Sequence, residues 1–463
     1  MNIFLDLIFL FNWLVIFYFF SLNIIYAVLL ISSYFAIRTY NFEYALAKGA
    51  DLKRDLAKPF SILVPAYNES VVIVESVRSF LALDYPEYEV IVCNDGSKDD
   101  TLQKLIDNFS LQKVDFDRVE RFESQPIRAV YFSELDSKLV VVDKVNGGKA
   151  DALNAAANCS RYPYIGGVDS DSQLSSDSME KIMQQFSAHP QNVAVGGIVR
   201  LSNGCTIKNG EISDIKMPKA FLEQIQVVEY LRAFLFGRMG WSAFDVLLII
   251  SGAFGIFRQD IMEKVGGWDS RAIGEDMDLV VRLHKHIRKN RLAHHLSFAP
   301  DPVCWTQAPG TLKDLSTQRD RWQRGLMQTM VDNRGLMFNP RYGRVGMVGF
   351  PYFFLYEMLG CVMEIAAIPL VIVSFILGIV NVHFFILFIT VAIIWGLFLT
   401  FSSIFLEEVS YSRYKERGDL LKLFKAAFFE NFGYRQIHSW WRFKGFVKYV
   451  FKVKSGWGTI KRV

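Results

Sequence analysis

The chain has 463 residues, of which 51% are hydrophobic and 15% aromatic, with 40 Phe, and its mean hydropathy is +0.20. That is too apolar for a purely soluble protein, so the composition asks for one large domain plus membrane segments. A net charge of +4 leaves no general nucleic-acid footprint, and nucleic acid is excluded as the expected partner.

Residues 3–37 contain no Lys or Arg. A membrane span needs roughly 20 apolar residues, so residues 1–37 read as an N-terminal transmembrane segment. A hairpin would have to turn at Ser21-Leu-Asn23, which lacks Gly and Pro. The basic leader of a cleaved signal peptide is missing. Arg38, Lys48, Lys53 and Arg54 follow the span, and this asymmetry places the next domain in the cytoplasm. The five cysteines, Cys93, Cys159, Cys205, Cys304 and Cys361, are widely spaced without a CxxC pair. They read as reduced packing thiols, in keeping with that side.

From Pro59 to about Arg200 the pattern alternates strand and helix. Phe60–Val64 is a buried strand ending at Pro65. Tyr88–Cys93 is a second, followed by Asn94-Asp95-Gly96-Ser97. Gly147-Gly-Lys149 opens a helix, and Tyr164–Val168 is a strand ending in Asp169-Ser170-Asp171. The alternation predicts an α/β domain over 58–330 with a mostly parallel, two-sided sheet. Ligands of such sheets bind at the carboxyl ends of the strands, where Asp95, Asp169 and Asp171 fall. Residues 221–238 carry Leu222, Ile225, Val228, Leu231 and Leu235 on one face, an amphipathic helix for the sheet or the bilayer surface.

Residues 345–406 read as an interfacial helix broken at Pro351, then a span from about Glu357 to Val380, a short Asn381-Val-His383 turn and a second span. Glu357 and Glu364 share nearly one face of the first of these spans. Intramembrane carboxylates face a bundle interior or a wet path, unless Glu357 sits at the interface. The tail, 407–463, is basic and reads as an amphipathic cytoplasmic segment.

Several short pieces carry chemistry. Asp95 precedes Gly and is either a turn residue or a ligand group. Asp169 and Asp171, one residue apart at a strand end, can share one hard cation, Mg²⁺ or Mn²⁺, bridging to phosphate; the alternative is a solvated acidic loop. Lys149 sits at a helix start, where anions are attracted, although the glycine spacing is not that of a Walker loop. Glu275-Asp276 supplies a general base or an acidic helix start favoured by the dipole. Gln318-xx-Arg321-Trp322 places a guanidinium suited to a diphosphate beside an indole that can stack on a sugar, or forms a basic helix at the membrane surface. His284, His286, His294 and His295 invite a metal reading but lack carboxylate or Cys at ligand spacing.

Taken together, Asn94-Asp95-Gly, Asp169-Ser-Asp171, Gly274-Glu275-Asp276 and Gln318-xx-Arg321-Trp322 resemble the membrane-embedded family 2 glycosyltransferases, the group of cellulose, chitin, hyaluronan and poly-N-acetylglucosamine synthases. The likeness covers about 58–330 and extends less firmly to Asn431-Phe-Gly-Tyr-Arg435 through Trp457. It implies a GT-A domain, inserted between transmembrane and interfacial helices, that uses a UDP-sugar and Mg²⁺ or Mn²⁺. It implies that Asp95 contacts the base, that Asp169 and Asp171 hold ribose, metal and diphosphate, and that Asp276 is the catalytic base. Gln318, Arg321 and Trp322, with Glu275 beside them, then serve diphosphate and acceptor, and Ser251-Gly-Ala-Phe254 resembles the loop near the acceptor. The Gly-Glu-Asp form of the base motif is nearer the poly-N-acetylglucosamine branch, and no cyclic-di-GMP site is expected within this chain.

The resemblance implies an inverting synthase that elongates a β-linked polysaccharide from UDP-N-acetylglucosamine or UDP-glucose at the plasma (inner) membrane, coupled to export. About three spans are few for a monomeric sugar channel. That reading therefore asks for a small membrane partner subunit, self-association or channel walls from interfacial helices. Single-sugar transfer to a lipid-linked acceptor is the alternative, and a non-enzymatic nucleotide-sugar-binding membrane subunit is a further one.

Overall fold

A computed structural model describes residues 3–49, 57–116, 119–208 and 211–453. Lys53, Arg54 and Trp457, cited above for topology and resemblance, lie outside the described residues.

The chain opens with one unbroken helix, α1 (Ile3–Gly49). At 1.5 Å per residue it is about 70 Å long, against a hydrocarbon core of about 30 Å. It passes Arg38 without a stop because no Gly or Pro intervenes before Gly49. Ser21 and Asn23 do not turn the chain. The Ser21 hydroxyl shares a hydrogen bond with the Tyr356 hydroxyl at 2.7 Å, and Asn23 Nδ2 donates to the Val391 carbonyl at 2.6 Å. Polar side chains thus tie α1 to the later apolar helices. Near its other end Glu43 meets His189 at 3.2 Å.

The domain then builds β1 (Phe60–Ala66), α2 (Ile73–Leu81), β2 (Tyr88–Asn94), α3 (Thr101–Phe109), β3 (Leu111–Val114), β4 (Ile127–Ser133) and β5 (Leu139–Lys144). It continues through α4 (Lys149–Asn158), β6 (Tyr164–Gly167), β7 (Gln173–Leu174), α5 (Ser178–Ala188) and β8 (Asn192–Leu201). A small ribbon, β9 (Thr206–Lys208) with β10 (Glu211–Asp214), leads to α6 (Phe221–Tyr230), a wide π-turn over 231–238 and α7 (Met239–Ala243). β11 (Gly255–Arg258), α8 (Gln259–Glu263), α9 (Glu275–Lys289), β12 (His295–Thr306) and α10 (Leu312–Asp332) complete it.

Ten strands form one sheet in the order β3-β4-β5-β2-β1-β6-β11-β8-β12-β7. The expectation of a mostly parallel sheet needs correction. The run β5-β2-β1-β6 and the pair β8-β12 are parallel, and the other pairings are antiparallel. For β4-β5 the reason is connection length: the short link from Ser133 to Leu139 permits only a hairpin, since a parallel return needs a crossover of about a dozen residues. Within the parallel run Ala66 is level with Asn94, and Asn94 with Asp143. The loops after β1, β2, β5 and β6 therefore emerge along one edge. Ala152, Ala155 and Ala156, fully buried on α4, let that helix lie close on this run. Gly197 matters on the other side: a Cβ there would meet the Phe254 ring at 2.2 Å. The missing side chain is the slot that holds Phe254, and with it the Ser251-Gly-Ala loop.

After α10 come two apolar segments. Residues 345–358, which include α11 (Phe350–Tyr352), are followed by α12 (Gly360–Ile376) at a bend of 47°. The break lies at Leu359 and not at Pro351, which sits inside the continuous helical stretch 345–358, where wide π-turns on either side accommodate its missing N–H. The second segment, Val382–Ser410, joins α13 (Val382–Ile389) and α14 (Trp395–Ser410). Among the described residues two helices are long and apolar enough to cross a membrane, or three if the bent pair is one span. The tail forms α15 (Arg417–Phe429) and α16 (Arg435–Val450). Its polar and charged side chains pair with the preceding helices. Arg435 pairs with Glu364 at 3.1 Å, Arg232 with Glu430 at 2.5 Å, and Tyr434 donates to Glu229 at 2.9 Å.

Candidate active site

Asp95 ends β2 with its side chain turned inward, 3% exposed. Its two carboxylate oxygens accept from the backbone N–H of Gly147 (2.9 Å) and Gly148 (2.8 Å) and from Asn146 Nδ2 (3.0 Å). They also accept from Lys144 Nζ at 2.5 Å. Lys144 is wholly buried and meets Asp151 on its other side at 2.6 Å. Burial works against the ammonium, but Asp151 and Asp95 outweigh it and hold the Lys144 pKa above its ordinary value. Gly148 has φ +91°, a conformation that suits glycine. Asp95 therefore braces the Gly147-Gly148 loop, whose next residue opens α4.

That residue is Lys149. Its ammonium pairs with Asp169 at the end of β6, lies 3.7 Å from Glu275 Oε1 and donates to the Gly252 carbonyl at 3.3 Å. Burial again disfavours its charge, while Asp169, Glu275 and Asp276 raise its pKa on balance. Asp169 turns the chain through a bond from Ser172 N–H to its carbonyl (3.0 Å). Asp171, two residues on, acts with Asp169 on the buried Cys304 thiol, which burial pushes up.

Glu275 and Asp276 form the first turn of α9, where the helix dipole favours negative charge. Asp276 accepts from Gly252 N–H at 3.1 Å and from its neighbour Met277 N–H at 2.8 Å. Glu275 is nearly buried. Burial raises its pKa most, Lys149 pulls it down, Asp276 pushes it up and Arg321 pulls it down. Arg321 thus faces the same cluster from α10. The two helices approach through glycines: a Cβ on Gly325 would lie 3.0 Å from the Gly274 nitrogen. On α10, Trp322 is 44% exposed with the Arg319 guanidinium 4.4 Å from its ring centre. Gln318 Oε1 is buried with no hydrogen-bond partner among the described residues.

The structure therefore brings Lys149, Asp169, Glu275 and Asp276 together around Gly252, with Arg321 in electrostatic reach. It sets Asp95 behind them as a brace. Sequence reasoning passed over Lys144, Asp151 and Asn146; the available signal was a lysine closing the strand Leu-Val-Val-Val-Asp-Lys. It also passed over Asn68, which links two edge loops by accepting from Lys98 N–H (2.8 Å) while its own N–H donates to Ser97 Oγ (3.0 Å). The four histidines do not converge: His284 Nε2 lies 2.8 Å from the Leu247 carbonyl, and His295 meets Asp245 at 3.3 Å.

A family profile described as "Glycosyltransferase like family 2" matches residues 57–325, more than half of the chain. The chain belongs to that family. The acidic loops at the strand ends are thus the edge of a GT-A sheet. Among curated relatives, a poly-beta-1,6-N-acetyl-D-glucosamine synthase of Staphylococcus epidermidis is 28% identical over 292 residues, covering 63% of this chain and 60% of that protein. One of Staphylococcus aureus is 27% identical over 297 residues, covering 64% and 61%. The matched region thus spans about three-fifths of the length of these relatives. Among solved structures, a mannosyltransferase from Pyrobaculum calidifontis aligns at 15% identity with a TM-score of 0.49, covering 94% of this chain and 100% of that one.

Proposed function

We propose that this family 2 glycosyltransferase is an inverting synthase that extends a β-linked polysaccharide from UDP-N-acetylglucosamine. In this reading it is a multi-pass protein of the plasma (inner) membrane, with the 58–330 domain on the cytoplasmic side and chain growth coupled to export. The observation that carries it is the cluster of Lys149, Asp169, Glu275 and Asp276 around Gly252, with Arg321 in electrostatic reach. The curated relatives, named for poly-beta-1,6-N-acetyl-D-glucosamine synthesis, support the choice of donor and of a polymer product.

Asp276 is the general base. Its carboxylate takes the proton of the acceptor hydroxyl as that oxygen bonds to the anomeric carbon and the carbon–oxygen bond to UDP breaks. UDP departs with the electron pair, and in-line attack on an α-linked donor gives a β-linkage. Lys149 and Arg321 bring positive charge to the diphosphate, where fixed charge counts most as negative charge develops. Trp322 offers an exposed ring face to a sugar, and Gln318 an unpaired acceptor. Asp95 serves the nucleotide-sugar site through the loop it braces.

The residues present fit a divalent cation. Asp169 and Asp171 are hard oxygen donors suited to Mg²⁺ or Mn²⁺, and Asp169 already binds the Lys149 ammonium, the charge type such a site selects. Among the described residues no three His, Cys, Asp or Glu side chains form a closed cage. Asp169 and Asp171 would hold it, and when bound it supplies further neutralisation of the diphosphate.

The test is Asp276→Asn. It is expected to keep UDP binding and to lose transfer by about 10²–10⁴-fold, the usual worth of a positioned base. Wild-type transfer by that variant would remove the assignment.

A further inference from the structure

Helix α10 carries Gln318, Arg321 and Trp322, and its next residue, Gln323, points away from them into the membrane-helix bend. Bends in helices strand backbone carbonyls. Here two side chains collect them. Gln323 Nε2 donates to the Met358 carbonyl at 3.0 Å, and Arg442 of α16 donates to the Glu357 carbonyl. Arg442 Nε donates to Gln323 Oε1 at 2.9 Å, and its Nη2 lies 3.5 Å from the Glu357 carboxylate. Gln323 is 2% exposed. One turn further along α16, a Cβ on Gly445 would sit 2.8 Å from the Asp320 carbonyl, so the two backbones touch. Lys448 then meets the Asp320 carboxylate at 2.8 Å.

We propose that Gln323 and Arg442 are positioning residues that latch α10 to the bend at Leu359. The angle of the membrane helix then sets where α10, through Arg321 and the Gly325 contact with Gly274, stands against Glu275 and Asp276. A planar amide and a planar guanidinium satisfy both stranded carbonyls and each other, so neither works alone. An apolar residue at 323 leaves Arg442 Nε unpaired and Met358 O with only the weak Cys361 thiol at 3.7 Å. The latch rests on the reading of Asp276 and α10 as the transfer site.

The test uses the full chain in nanodiscs, with Gln323→Leu, Arg442→Gln and the pair combined. Transfer from UDP-N-acetylglucosamine, UDP affinity and amide hydrogen exchange are followed together. The expected result is a kcat at least tenfold lower in each single variant, with donor KM and UDP affinity within twofold. The combined variant is no worse than the worse single one, because the two side chains act as one unit. Exchange speeds up within 312–332 and 353–365 and not in the sheet. An unchanged kcat, additive losses or exchange accelerated throughout the chain would overturn the latch. If the wild type transfers from no UDP-sugar, the functional reading falls, and the exchange pattern alone still decides whether the latch exists.

Discussion

Lys149 neutralises two carboxylates that would otherwise repel each other, and the chemistry of Glu275 depends on it. Burial holds the Glu275 carboxyl above its usual range and Lys149 draws it back. Replacing Lys149 with Gln therefore lets the Glu275 pKa rise further. Glu275 then protonates at higher pH, and the acid limb of the kcat/KM profile is expected to move toward higher pH, besides an overall loss. An unmoved acid limb would detach Glu275 from the reaction. Asp95 makes a different prediction, because its partner Lys144 has no access to water. Asp95→Ala leaves that ammonium with one counter-ion, and breaking a buried pair costs about 3–5 kcal/mol. Thermal unfolding in detergent checks this, and a change too small to measure would contradict the bracing role. At this scale the sequence showed which side chains carry charge but not what each faces. Asp169, Glu275 and Asp276 were visible because acids next to Gly or at a strand end stand out. Lys144 was hidden because a lysine after Val-Val-Val-Asp reads as a solvated strand end until the fold buries it.

The elements meet through missing side chains. Gly325 lets α10 rest on Gly274, and Gly445 lets α16 rest on Asp320. Gly325→Ala places a methyl 3.0 Å from the Gly274 nitrogen. Either α10 or the start of α9 must give way, so turnover is expected to fall at least tenfold while the protein still folds and binds UDP. Turnover equal to wild type would show that this contact does not set the site. Gly445→Val should act from the far side of α10 with the same signature. Pattern revealed the strands β1, β2 and β6 and, through the apolar spacing of 221–238, the helix α6. It could not reveal the mixed sheet, because β11 enters antiparallel between β6 and β8 from far along the chain, a pairing no local pattern encodes. Nor did it place the bend at Leu359, where Pro351 is the more obvious break and the only local signal at the true one is Gly360. The partners of the basic tail were out of reach for a related reason: Arg435 and Arg442 find Glu364 and Glu357 only in three dimensions.

Seen as a whole, the molecule is one sheet domain gripped by apolar helices from both ends of the chain. Glu407 of α14 and Arg200 of β8 meet at 2.7 Å with both side chains buried, and Arg413 reaches Asp301 at 2.7 Å. Removing one partner of such a pair is costly, so Glu407→Ala is expected to loosen α14 from the sheet and lower thermal stability by several degrees. The loss should be smaller for the paired Arg200→Met, Glu407→Leu change, which leaves no buried charge behind. The most direct test of the account is product analysis. Purified wild-type chain and Asp276→Asn, in nanodiscs with Mg²⁺ or Mn²⁺, are incubated with radiolabelled UDP-N-acetylglucosamine, and released UDP and product length are measured together. The account predicts long β-linked product with matching UDP release from the wild type and neither from the variant, although both bind UDP. Products stopping at one added sugar, transfer only from another donor, or equal turnover by Asp276→Asn would contradict it.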